Sequence, residues 1–159
     1  MSELFIILMI LAGVFALVQA IRIKDTFARI INAVMAVSVG VSIIPIAQVA
    51  IDGHYLYVIG CLLVVLYAFS DSSFTIQKKI ILIGMGLIQM TSHLFWLMQF
   101  PGVAILSWAS ILSVFAYIFV VTKEIREYQI EIGFLTVLMV DALIKSVIVL
   151  SGSSLIVPE

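Results

Sequence analysis

Runs of apolar residues, broken by short clusters of charge, proline or glycine, fill this sequence from one end to the other. Six such stretches run roughly over 3–21, 27–50, 54–70, 77–99, 102–121 and 130–150. Each is at or near the ~20 residues that cross a bilayer as a helix. The breaks are Arg22 to Asp25, Asp52-Gly53-His54, Asp71 to Ser73, Pro101-Gly102 and Lys123 to Glu131. A backbone in lipid must satisfy its own hydrogen bonds, so every stretch is predicted to be helical. The short connections make each helix antiparallel to the one before it. No low-complexity segment, linker or internal repeat divides the chain. It reads as one all-α domain over residues 1–159, a polytopic six-helix membrane bundle whose first partner is the lipid bilayer.

Composition fits this class and removes others. Of 159 residues, 64% are hydrophobic and 11% charged, against an apolar share of roughly 45–50% in soluble domains. A formal net charge of −1 offers no basic surface for nucleic acid. The single cysteine, Cys61, excludes a disulfide framework and a paired redox motif. Met1-Ser2-Glu3 lacks the basic start of a signal peptide and no small-residue cleavage site follows, so 3–21 is predicted to be a retained helix.

The charges also orient the bundle. Arg22, Lys24 and Arg29 flank the first connection, Lys78 and Lys79 the third, and Lys123 and Arg126 the fifth. These seven fall on one side, whereas the other side carries only Glu3, Asp52 and Glu159. The positive-inside rule makes the basic side cytoplasmic and predicts both termini outside a cell membrane.

Lys145 is the one basic residue left, deep in the last stretch, with Asp141 one turn before it. Near a bilayer centre each costs about 2.5–3.5 kcal/mol on the insertion scale. Residues that expensive are functional candidates and need a named partner. The i,i+4 spacing places both on one helix face, acid before base, the better orientation. Each is the other's simplest partner, either as a structural ion pair or as a reactive one. The fourth helix is expected to run in the same direction, which puts Gln89 near the level of Asp141 and His93 near that of Lys145. Ser107, Trp108, Ser110, Ser113 and Tyr117 lie in the fifth stretch, and Tyr55, Tyr57, Cys61 and Tyr67 in the third. Membrane serines commonly satisfy a backbone carbonyl or allow close packing, and Tyr55, Tyr57 and Trp96 fit interfacial aromatic belts. Gln89 and His93 stand out from that background.

Several chemistries are absent. There is no His-Glu-x-x-His zinc site, Gly-x-Ser-x-Gly elbow or phosphate-binding glycine loop, so no enzymatic activity is expected. His54 and His93 lack carboxylates at ligand spacing, so no metal site is expected. The segment "TKEIREYQIE" over 122–131 reads as a solvated extension of the fifth and sixth helices. That leaves Asp141 as the expected sole buried acid beside a desolvated amine. Such an amine is a nucleophile toward carbonyls; an aldehyde cofactor would form a Schiff base there.

The Asp-x-x-x-Lys step in the last helix resembles the retinal-binding helix of microbial rhodopsins. The closing segment "DALIKSVIVLSGSSLIVPE" looks like the end of a heliorhodopsin, with a Lys-Ser step, an apolar run, Ser-Gly and a short apolar tail. Ile46-Ala47-Gln48, read as closing the second helix, resembles the outer end of that family's third helix. The Phe100-Pro101-Gly102 turn sits where the family joins its fifth and sixth helices. The family's inverted topology matches the orientation given by the basic residues. The similarity runs along nearly the whole chain, onto helices two to seven of the family. Two departures stand out: the family's first helix has no counterpart, and residues 27–50 hold no carboxylate where the family carries a glutamate counterion. Asp141 takes the place usually held by serine.

The resemblance implies a rhodopsin-like bundle binding retinal through Lys145, with Asp141 as counterion. Trp108, Phe115 and Tyr117, with Met90 and His93, would line the pocket. With one buried acid, a sensory or regulatory role is expected rather than pumping. The alternative is a non-photoactive subunit of a transporter or larger membrane complex, in which Asp141–Lys145 is structural or proton-coupled. A homodimer or another membrane partner would cover the surface that a missing helix leaves open.

Overall fold

The computed structural model describes residues 3–100, 103–123 and 125–151. They form six helices and, among the described residues, no strand: α1 (Glu3–Arg22), α2 (Thr26–Ser42), α3 (Ala47–Ser70), α4 (Ile76–Leu97), α5 (Val103–Lys123) and α6 (Ile132–Leu150). All but α2, which has 17 residues, are long and apolar enough to cross a membrane. That is the character of an integral membrane protein. Pro101, Gly102 and the tail from residue 152 lie outside the described residues, so the turn and terminal segment of the resemblance are not seen.

Local chemistry sets the helix ends. Asp25 caps α2 by accepting from Ala28 N–H at 2.7 Å, and Thr75 caps α4 by accepting from Lys78 N–H at 3.2 Å. Both occupy orphan donors of a first turn. At the far end of α4, Gln99 takes φ 54°. Its N–H reaches Trp96 O at 3.2 Å, while Phe100 N–H reaches Phe95 O at 2.9 Å. This is a Schellman closure, and the Phe95 and Phe100 rings supply its apolar contact at 5.5 Å.

The stretch expected to be one helix over 27–50 is two elements. α2 stops at Ser42 and α3 begins at Ala47. Pro45 has no N–H to give and disfavours helical geometry at Ile44 before it, so the chain turns there. Ile46-Ala47-Gln48 therefore opens α3 rather than closing the second helix. Asp52-Gly53-His54, expected as a break, lies inside α3. Gly53 is there because α3 crosses α2 closely: a Cβ would come within 2.5 Å of Ser42 N and Oγ. The segment expected as a solvated helical extension is turn over 125–131, with Tyr128 and Glu131 fully buried.

Consecutive helices pack in sequence, and α6 closes the ring against α1 while also touching α2 and α4. Contacts on so many sides bury α6 most deeply. Phe134, Leu135, Val137, Leu138 and Ala142 are sealed from solvent. The outward faces carry large apolar side chains such as Leu4, Ile21, Phe69, Ile105 and Leu112. In water such a surface would drive aggregation; in lipid it matches its solvent.

Candidate functional site

α4 and α6 pack together, and each presents an i,i+4 polar pair toward the other: Gln89 with His93, and Asp141 with Lys145. Asp141 Oδ2 receives Lys145 Nζ at 2.7 Å and His93 Nε2 at 3.2 Å. Lys145 Nζ also donates to Gln89 Oε1 at 3.1 Å. The four form a polar chain between two helices, with Gln89, His93 and Asp141 buried. The partners run diagonally to the levels expected from sequence. Side chains on a helix lean toward its N-terminus, so His93 and Lys145 each reach down one turn, to Asp141 and Gln89 respectively.

The surroundings are aromatic on one side. The rings of Tyr57 and His93 lie 4.2 Å apart, those of His54 and His93 5.3 Å, and those of His54 and Trp96 4.6 Å. A cavity of about 100 Å³ touches Asp141, His93, His54, Tyr57 and Ser42. Tyr57, expected in an interfacial belt, is instead buried beside the acid.

As a carboxylate, Asp141 can only accept, so one oxygen is shared by two proton-bearing groups. Lysine, aspartate and neutral histidine sum to zero charge. A proton taken up at His93 or Asp141 leaves a net positive charge in the bundle, which the surrounding helices must accommodate. The arrangement thus ties the charge of these side chains to the contact between α4 and α6. Among the described residues no group of three or more His, Cys, Asp or Glu side chains converges to hold a metal ion.

A second buried pair lies near the start of the same two helices. Lys78 Nζ is 3.0 Å from Glu131 Oε1, and Tyr67 OH donates to that oxygen, also at 3.0 Å. Lys78 Nζ further donates to Glu127 O at 2.9 Å and sits 4.3 Å from the centre of the Phe74 ring. Thr75 Oγ1 donates to Glu127 Oε1 at 2.9 Å. Together these fasten the 125–131 turn over the ends of α3 and α4. Asp141 is therefore not the sole buried acid. Sequence reading missed Glu131 by assigning its segment to water. A signal for it exists: Lys78 and Glu131 sit at the starts of two helices running the same way, so the levels that pair Gln89 and His93 with α6 also pair these two.

The remaining expected site residues are dispersed. Tyr117 OH donates to Thr136 Oγ1 at 2.8 Å, since that hydroxyl is itself donating to Ile132 O. This ties α5 to α6. Met90 packs at the edge of the core. Trp108 is 50% exposed and Phe115 64%, on the outer face of α5 and away from Lys145.

Retinal is the group the resemblance implies, and the amine alone suits it: Lys145 has a carboxylate at 2.7 Å. The space does not. The cavity reaching Asp141 holds about 100 Å³ and Lys145 is not in its wall, whereas small-molecule pockets take ~300 Å³ or more. That cavity is too small to enclose a C20 polyene against that amine. No protein-family model, curated protein or solved structure matches the chain.

Proposed function

We propose that this chain is an integral membrane protein that takes up and releases a proton at the Asp141–His93–Lys145 cluster, as the proton-coupled subunit of a transporter or larger membrane complex. The observation that carries this reading is the sharing of Asp141 Oδ2 between Lys145 Nζ and His93 Nε2. Protonation of the acid weakens the bonds that join α4 to α6, whereas protonation of the imidazole turns its bond to the carboxylate into a stronger, charge-assisted one. A change in proton occupancy thus becomes a change in helix packing, the kind of two-state element a coupled membrane protein needs.

The test is infrared difference spectroscopy of the reconstituted protein across a pH step, from mildly acidic to mildly alkaline. A carboxyl or imidazole band that vanishes in Asp141→Asn and His93→Gln supports the reading. An unchanged spectrum across the whole range would mean that the cluster is a fixed ion pair.

A retinal-binding photoreceptor is the second reading. It is favoured by the carboxylate beside the Lys145 amine and by the resemblance of the last helix. The small cavity and the outward position of Trp108 and Phe115 weigh against it, and the proton reading requires no chromophore.

A further inference from the structure

The cavity beside Asp141 has two unlike ends. Its inner wall is Tyr57, His93 and Asp141, all buried; its other end is Ser42, Ile43 and His54, each partly exposed where α2 hands over to α3. The Tyr57 hydroxyl, on a residue 2% exposed, faces Asp141 without a well-formed hydrogen bond, and Gln89 Nε2 has no protein partner. Buried polar groups left without protein partners are the places where ordered water is held. A volume of about 100 Å³ has room for roughly three waters at their liquid share of ~30 Å³ each. Beyond Asp141, toward the basic end of the bundle, Val64, Leu82, Met85, Leu135 and Leu138 are all sealed, and the next buried polar groups that way are Asn32 and the Lys78–Glu131 pair.

We propose that this cavity is a one-ended aqueous vestibule: it binds water against Tyr57 and Asp141 and opens only at the face that carries the α2–α3 connection. Its part in delivering protons rests on the proton-exchange reading above; the vestibule itself does not. The groups facing Asp141 are His54, Tyr57 and Cys61 from α3, His93 and Gln89 from α4 and Lys145 from α6, while α2 brings Ser42 and α1 only the apolar Ile6 and Met9. Water at one end and a packed aliphatic plug at the other make the cluster responsive to acidity on one side of the membrane. A site of that shape reports a proton rather than passing it across.

Single cysteines placed in full-length Cys61→Ser protein test this, using a membrane-impermeant thiol reagent on sealed vesicles of either orientation. Asp52→Cys and Lys79→Cys mark the two faces. Ser42→Cys, Ile43→Cys and His54→Cys should react only from the side that labels Asp52→Cys, and Leu138→Cys from neither. Reaction of the three from the Lys79 side, from both sides or from neither side would overturn the vestibule, as would labelling of Leu138→Cys. Three independent positions keep the test intact if one variant fails to fold. An absent Asp141 infrared band alongside the expected labelling would remove the proton reading and leave the vestibule standing.

Discussion

Gln89 and Lys145 stand 56 residues apart in the chain, yet the lysine amine donates to the glutamine carbonyl oxygen at 3.1 Å. Gln89 is fully buried, so this bond anchors the free side of an ammonium already held by Asp141. A hydrogen bond to a charged group contributes about 1.5–3 kcal/mol. Gln89→Leu should lower unfolding free energy by about that amount in detergent denaturation, with Gln89→Glu less affected because it still accepts from Lys145.

Asp141→Asn leaves the partly buried Lys145 ammonium without its anion. Removing one partner of a buried pair costs about 3–5 kcal/mol. Replacing both, as Asp141→Asn with Lys145→Met, should recover most of that loss, because no uncompensated charge remains. Thermal unfolding of the two single variants and the double variant measures the coupling. If the double variant also loses the pH-dependent infrared band, stability and proton exchange are separated at one site.

Colour decides between the two functional readings. Protein mixed with all-trans-retinal should remain without a band to the red of free retinal. A red-shifted band that disappears in Lys145→Ala and persists in Lys79→Ala would reverse their order. In that event Asp141→Asn should move the band to longer wavelength, since the acid would then be the counterion.

Glu131 and Lys78 form the other buried pair, with side-chain exposures of 0% and 7%. Glu131→Ala should destabilise by about 3–5 kcal/mol and loosen the 125–131 turn. Increased protease cleavage after Arg126 reads out that loosening. Thr75→Ala, which removes a cap and the exposed bond to Glu127, should cost about 1 kcal/mol.

Gln99 holds the left-handed position of the α4 closure at φ 54°, a conformation costing a non-glycine residue about 1–2 kcal/mol. Gln99→Gly should therefore stabilise, by somewhat less than that figure, because glycine also loses more backbone freedom on folding. A raised midpoint in thermal unfolding checks it. The opposite outcome is expected for Gly53→Ala, where the added Cβ meets the α2 backbone at Ser42.

Hydrophobic runs and charged breaks made six helices legible, with five starts within about three residues of where they fall. The sixth case, α3, failed because Asp52-Gly53-His54 looks more like punctuation than a lone Pro45 does. A polar cluster with glycine outweighs one missing N–H in any local pattern, yet Gly53 serves a helix crossing rather than a turn. At the site, Asp141, Lys145, His93 and Gln89 were legible because a polar side chain in an apolar run is conspicuous. Glu131 and Tyr128 were not, since among the charges of "TKEIREYQIE" neither is. Burial there comes from the turn folding back over α4, which no local pattern encodes. Trp108 and Phe115 lie on an exposed face, and a large aromatic in a membrane helix can face lipid as readily as a pocket.

The brevity of α2 bears on the membrane itself. Its 17 residues rise about 25 Å, against a hydrocarbon thickness of ~30 Å. Lipids along that edge must draw inward, or the helix must stand upright with headgroups dipping toward Pro45. Either response brings the polar surface of the bilayer down to Ile43 and Ser42. An α2 that crosses with its neighbours would thus carry a local dimple with it, and membranes thin enough to match α2 should hold the protein with the least distortion.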